Sequence, residues 1–122
     1  NKIINKRVFK KFKSTDGSPD GMTLDRNKNL WVAHYHGACI SVFDKKAKLI
    51  HKIDLPAKNI TNCAFGGPKN NVIFIISATK GMNKADLQKF RYSGFLFSVK
   101  TNSRGILQKK FTITDEKTRS LL

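Results

Sequence analysis

Apolar and polar positions alternate in short runs along the chain, with the period of strands and not of helices. Leu30-Trp31-Val32-Ala33, Cys39 to Phe43, Leu49 to Leu55, Val72 to Ser77, Phe95 to Val99 and Ile106 to Ile113 are rich in β-branched and aromatic residues. Each reads as a strand. Asp25-Arg26-Asn27-Lys28-Asn29, Asp44-Lys45-Lys46 and Gly66 to Asn71 separate them as tight turns. One helix is predicted, at Asn83 to Phe90, where Asn83-Lys84-Ala85-Asp86 offers a cap-like start. The longest apolar run, Val72 to Ile76, has the length of a buried strand and falls far short of the roughly 18 residues that cross a bilayer.

The strands repeat. Sliding the chain by 42 residues lays Asp20 to Asp25 over Asn62 to Gly67, and Asn27 to Ala33 over Lys69 to Ile75. Ile40 to Phe43 then matches Leu96 to Val99, and Leu49 to Lys52 matches Ile106 to Lys109, once an insertion of about 14 residues around Met82 to Ser93 is allowed. Four short strands every 40–50 residues is the spacing of a propeller blade. Residues 18–59 form one such unit and 60–113 a second with its insertion at 82–93; residues 1–17 end a preceding unit and 114–122 are a tail. About two and a half blades cannot close a propeller, so the remainder is expected from a longer polypeptide, another chain or an oligomer.

Composition narrows this little. The 122 residues suit one domain, and 39% hydrophobic residues with nine Phe exclude a disordered chain. The net charge of +16 admits nucleic-acid binding. However, the excess is mostly Lys, 19 against 5 Arg, scattered along the whole chain, and bidentate recognition of phosphates or bases favours clustered Arg. A solvated lysine-rich surface is the preferred reading. Cys39 and Cys63 make no disulfide framework and read as buried thiols in a reducing compartment, so a cytoplasmic location is expected. The chain opens on Asn1 without an apolar signal segment, and its first residue is not expected to be the start of a natural gene product.

Pro19-Asp20-Gly21-Met22-Thr23-Leu24-Asp25, followed by Asn29-Leu30-Trp31-Val32-Ala33, resembles the PDGM-x-x-D-x-x-G-x-LWVA signature of the gluconolactonase, regucalcin and luciferin-regenerating-enzyme-like family. Ile53 to Pro56, Thr61 to Gly67, Ser77 to Met82 and Gly94 to Phe97 continue the match in family order. The resemblance implies an all-β fold, an incomplete six-bladed β-propeller with four-stranded antiparallel blades, of which this is the C-terminal part. It also implies hydrolysis of sugar lactones or related esters with one divalent cation, calcium or zinc, in the central channel. Family members hold that cation with a Glu near the N-terminus, a mid-chain Asn and the Asp of the PDG segment. Only the last has a counterpart here, Asp20, so the isolated chain is expected to be inactive.

The residue chemistry fits that implication. A carboxylate is a good ligand for a hard cation, which can polarise a lactone carbonyl and acidify a water. Asp20 is therefore the candidate metal ligand and a candidate general base. Its bland alternative is a turn aspartate that accepts backbone amides. Asn62 falls on Asp20 at the 42-residue offset and is a candidate for binding a substrate hydroxyl, with Thr61 and Met22 as further channel-lining candidates. His34, His36 and Cys39 could hold zinc if they shared a face, but no fourth ligand follows at a suitable spacing. No Gly-x-Ser-x-Gly elbow marks a serine hydrolase, and Gly66-Gly67 lacks the Lys-Ser/Thr of a phosphate loop. Lys84, Lys89 and Arg91 in the insertion could attract an anionic product. A fragment or subunit of a metal-dependent sugar lactonase is thus the leading expectation. A noncatalytic calcium-binding or scaffold propeller is the alternative, and a lysine-rich nucleic-acid-binding module ranks behind both.

Overall fold

The structure, a computed structural model, describes residues 3–107. A single 3-10 turn at Ser14–Asp16 leads into β1 (Ser18–Leu24), β2 (Leu30–Tyr35), β3 (Cys39–Phe43) and β4 (Leu49–Asp54). Then come β5 (Asn59–Gly66), β6 (Val72–Ala78), α1 (Lys84–Lys89) and β7 (Leu96–Lys100). The strands form a four-stranded sheet in the order β1-β2-β3-β4 and a three-stranded sheet in the order β5-β6-β7, each pair antiparallel. Ile106 and Leu107 are unpaired, and the rest of the strand expected there, Gln108 to Ile113, lies outside the described residues with the tail.

Asp20, for which a turn aspartate was the alternative role, lies within a strand. β1 is the edge of its sheet, where the missing N–H of Pro19 breaks no ladder, and a bulge between Pro19 and Met22 absorbs the irregular Asp20-Gly21 pair. β5 carries a bulge too, between Ile60 and Asn62. The true turn aspartate is Asp25. Its buried carboxyl accepts from the amides of Asn27 and Asn29 at 2.9 Å each, from Asn29 Nδ2 at 2.9 Å and from Trp31 Nε1 at 3.2 Å. One side chain thereby closes the β1–β2 hairpin and orients the indole that fills the core.

The two sheets pack face to face. Trp31, Ala33, Ile40 and Val42 of the first meet Cys63, Ile73 and Ile75 of the second, with Phe65, Phe97 and Val99 packed around them. Trp31 and Phe65 meet edge-to-face at 5.1 Å. Each fully buried isoleucine here contributes roughly 2 kcal/mol relative to exposure.

Strand pairing corrects the 42-residue overlay. Pro19 faces His34 as Ile60 faces Ser77, and Thr23 faces Trp31 as Ala64 faces Phe74. Trp31 faces Val42 as Phe74 faces Ser98. Inner strands therefore correspond at 41 residues, second strands at 43 and third strands at 56, and both bulges fall at the same place. Trp31 is equivalent to Phe74, not to Ile73. Equivalent faces then point the same way around the stack: the front face of the first sheet, with Trp31 and Ala33, covers the back face of the second, with Ile73 and Ile75. The front face of the second sheet, with Phe74 and Ile76, is exposed.

Candidate active site

β1 and β5 are the neighbouring inner edges of the two sheets, and they touch at Gly21. A Cβ on Gly21 would lie 2.2 Å from Asn62 Oδ1 and 2.7 Å from Asn62 Cα. No side chain fits there, so Gly21 allows the two bulges to meet. Asp20, beside it, is solvent-exposed. The ion pairs of the described residues, Lys52–Asp54 at 2.7 Å and Lys58–Asp86 at 2.6 Å, lie elsewhere. The structural duty expected of a turn aspartate belongs to Asp25, which leaves the Asp20 carboxyl group available.

The corrected register changes the neighbours of Asp20. Thr61 takes its place in the second sheet, and Asn62 takes the place of Gly21. Thr61 Oγ1 donates to the Ile76 carbonyl at 3.2 Å. Asn62 Oδ1 accepts from the amide of Cys63 at 2.8 Å, so the oxygen is partly engaged by its own backbone while the side chain stays exposed. The meeting at Gly21 thus brings Asp20, Thr61 and Asn62 onto adjoining segments of two inner strands. Met22 is 53% exposed and pairs with Val32 on the back face of the first sheet.

The histidines do not form a metal site. His34 is buried, and its Nδ1 lies 2.7 Å from the carbonyl of Asp16, which can only accept, so Nδ1 carries the proton. His36 is exposed in the β2–β3 turn. Cys39 lines the same cleft as His34, but among the described residues no group of three or more His, Cys, Asp or Glu is placed to hold a metal ion. Burial raises the pKa of the Cys39 thiol above its ordinary value and pushes that of Cys63 up to about 12. Both behave as the buried thiols expected from sequence.

The insertion contains the predicted helix. The Asn83 side chain accepts from the amide of Asp86 at 2.8 Å, capping α1, and Asp86 in turn binds Lys58. At its root the Lys80 carbonyl accepts from Tyr35 Oη at 2.8 Å and Asn59 Nδ2 at 2.9 Å. The sequence places Asp25 in a turn and Asp86 in a helix cap, but it does not reveal the buried hydrogen bonds of Asp25 or the pairing of Lys58 with Asp86. For Asp25 a signal existed, an Asp ahead of Asn-x-Asn at hairpin spacing; for the Lys58–Asp86 pair, separated by 28 residues, there was none.

Comparison with known proteins agrees with this architecture. The profile of the SMP-30/Gluconolactonase/LRE-like region matches residues 1–79. A Bacillus subtilis protein named putative sugar lactone lactonase YvrE is 36% identical over 104 residues, covering 84% of this chain and 36% of that protein. Regucalcin of Danio rerio is 36% identical over 98 residues, 80% of this chain and 33% of that protein. The chain thus spans about a third of the length of these relatives. A calcium-binding protein, regucalcin, from Agrobacterium tumefaciens superposes with a TM-score of 0.81 over 90% of this chain and 38% of its own, at 21% identity. A luciferin-regenerating enzyme gives 0.67 over 76% of this chain and 31% of its own, at 28% identity. Among the described residues no helix is long and apolar enough to cross a membrane. The fold is that of the propeller-type neighbours, and the chain belongs to the SMP-30/gluconolactonase/LRE-like family.

Proposed function

We propose that this chain supplies part of a six-bladed, metal-dependent lactonase acting on sugar lactones, with Asp20 as one ligand of a divalent cation. The observation that carries this reading is the exposed carboxyl group of Asp20 on an inner-strand bulge, free of the turn duty that Asp25 performs. The residues fit one corner of such a site: an oxygen donor suits calcium, and zinc also accepts carboxylate oxygen. A single carboxylate cannot complete the coordination, so the other ligands would come from the remaining blades, and the isolated chain would be inactive.

When bound, the cation would supply the charge that polarises the lactone carbonyl. This chain's own residues would bind and orient. Asp20 could also take a proton from the attacking water if that water lay within hydrogen-bond reach. Thr61 and Asn62, on the adjoining bulge, would offer a hydroxyl and an amide to substrate hydroxyls, and Met22 would lie at the margin. The test is lactone hydrolysis by the chain completed with the remaining blades. Asp20→Asn should reduce kcat/KM by at least about 100-fold, as expected when a group acting on the transition state is lost; unchanged hydrolysis would remove Asp20 from the mechanism.

A noncatalytic calcium-binding propeller is the second reading, favoured by the calcium-binding regucalcin that shares the fold. It predicts metal binding without turnover.

A further inference from the structure

The side chains on the two touching bulges differ in the hydrogen bonds they can still make. Thr61 Oγ1 has one proton and donates it to the Ile76 carbonyl at 3.2 Å, so only its lone pairs remain. The Asp20 carboxylate has lone pairs and no proton to give. The Met22 thioether is at best a weak acceptor. Asn62 is different. Its Oδ1 accepts from the amide of Cys63 at 2.8 Å, and among the described residues no acceptor takes its Nδ2. The side chain is exposed, so both protons of Nδ2 stay available.

The orientation of this amide is fixed by its neighbours. Turning it over would set the NH2 group against the Cys63 N–H, donor facing donor. Cys63 is buried and paired with Ile75, so its N–H cannot turn away. On the other side Gly21 closes against the amide: a Cβ there would lie 2.2 Å from Oδ1 and 2.5 Å from Cγ. The oxygen is thereby held between its own strand and β1, which leaves the nitrogen as the end that can meet a ligand. The same contact sets the amide against the residue next to Asp20.

We propose that Asn62 is the hydrogen-bond donor to the acyl oxygen of the lactone, and that its amide oxygen is not a ligand of the cation. This role rests on the lactonase reading. When the water oxygen bonds to the acyl carbon, the π pair of the carbonyl moves onto the acyl oxygen, and the proton lost by the water goes to a base. The pair returns as the ring C–O bond breaks, and the released alkoxide takes the proton. Between these two events the acyl oxygen carries negative charge and is stabilised by a donor held in place beforehand. Of Asp20, Met22, Thr61 and Asn62, Asn62 alone has a proton free for it. Thr61 is left to accept from a hydroxyl of the sugar.

Hydrolysis of D-gluconolactone by the chain completed with the remaining blades, in calcium or zinc, tests this with two variants. Asn62→Ala removes both ends of the amide, whereas Asn62→Asp keeps an oxygen for the Cys63 N–H and removes only the donor. Each should lower kcat by about 100-fold or more while KM changes by less than about threefold, as when an oxyanion donor is lost. Calcium affinity measured by calorimetry should stay within about twofold in Asn62→Ala, because no ligand is removed. Retained kcat in both variants would overturn the donor role and leave the lactonase reading standing. So would a calcium affinity lowered about tenfold or more in Asn62→Ala, which would make the amide oxygen a ligand. If the unsubstituted assembly hydrolyses no lactone, the lactonase reading fails and the donor role fails with it.

Discussion

Asp20 and Asp25 stand five residues apart in one segment and have opposite environments. Asp25 is buried and takes four hydrogen bonds; Asp20 is exposed on a bulge. Replacing Asp25 by Ala should therefore cost about 3 kcal/mol, because two backbone amides, the Asn29 side-chain amide and the buried Trp31 indole N–H would lose their acceptor. Urea unfolding would show it as a lower midpoint at unchanged slope, and a cost below about 1 kcal/mol would mean that the carboxyl does not hold the hairpin. Asp20→Asn should be near neutral in the same assay. At this scale the sequence was legible where the chemistry is local. The segment around Pro19-Asp20-Gly21 announces an unusual backbone, and the family resemblance rests on it. Asn62 was assigned one place off, because an ungapped slide averages the true offsets of 41 and 43.

That averaging has its cause in the elements. Both first hairpins turn through five residues, 25–29 and 67–71, but each arm of the second sheet's hairpin is one residue longer, so the inner strand is displaced one way and its partner the other. A one-residue slip reverses every side chain, and only the pairing register with its bulges shows which face of β6 looks inward. β2, β3, β4, β6 and β7 were legible from β-branched and aromatic runs. β1 and β5 are not legible in that way, since Pro, Asp, Gly and Asn dominate their bulged starts. α1 was legible from its cap, but not the salt bridge that fixes it. Asp86 is held below the usual 3.8 first by its hydrogen bond from Lys58 and further by the Lys58 charge. A lowered carboxyl pKa means stability that is present above 3.8 and lost as pH falls through the lowered value. The Asp86 carboxyl resonance should thus titrate below 3.8 and move back up in Lys58→Met, with amide protection in α1 lost over the same range. A titration unaltered by Lys58→Met would show that the pair is not formed in solution.

At the scale of the molecule, the two sheets leave one apolar face with Phe74, Ile76 and Leu96 and another with Met22 and Leu24, each the counterpart of a face already covered between the sheets. Further blades, where they complete the propeller, would cover these two faces. Among the described residues no group of three or more His, Cys, Asp or Glu is placed to hold a metal ion. The central claim is that Asp20 is one ligand of a cation in a channel completed by other blades. Calorimetric titration of calcium into the completed assembly tests it most directly. The account predicts one site per channel, weakened about 100-fold or more by Asp20→Asn because a charged ligand is lost; an affinity unchanged by that substitution would contradict it.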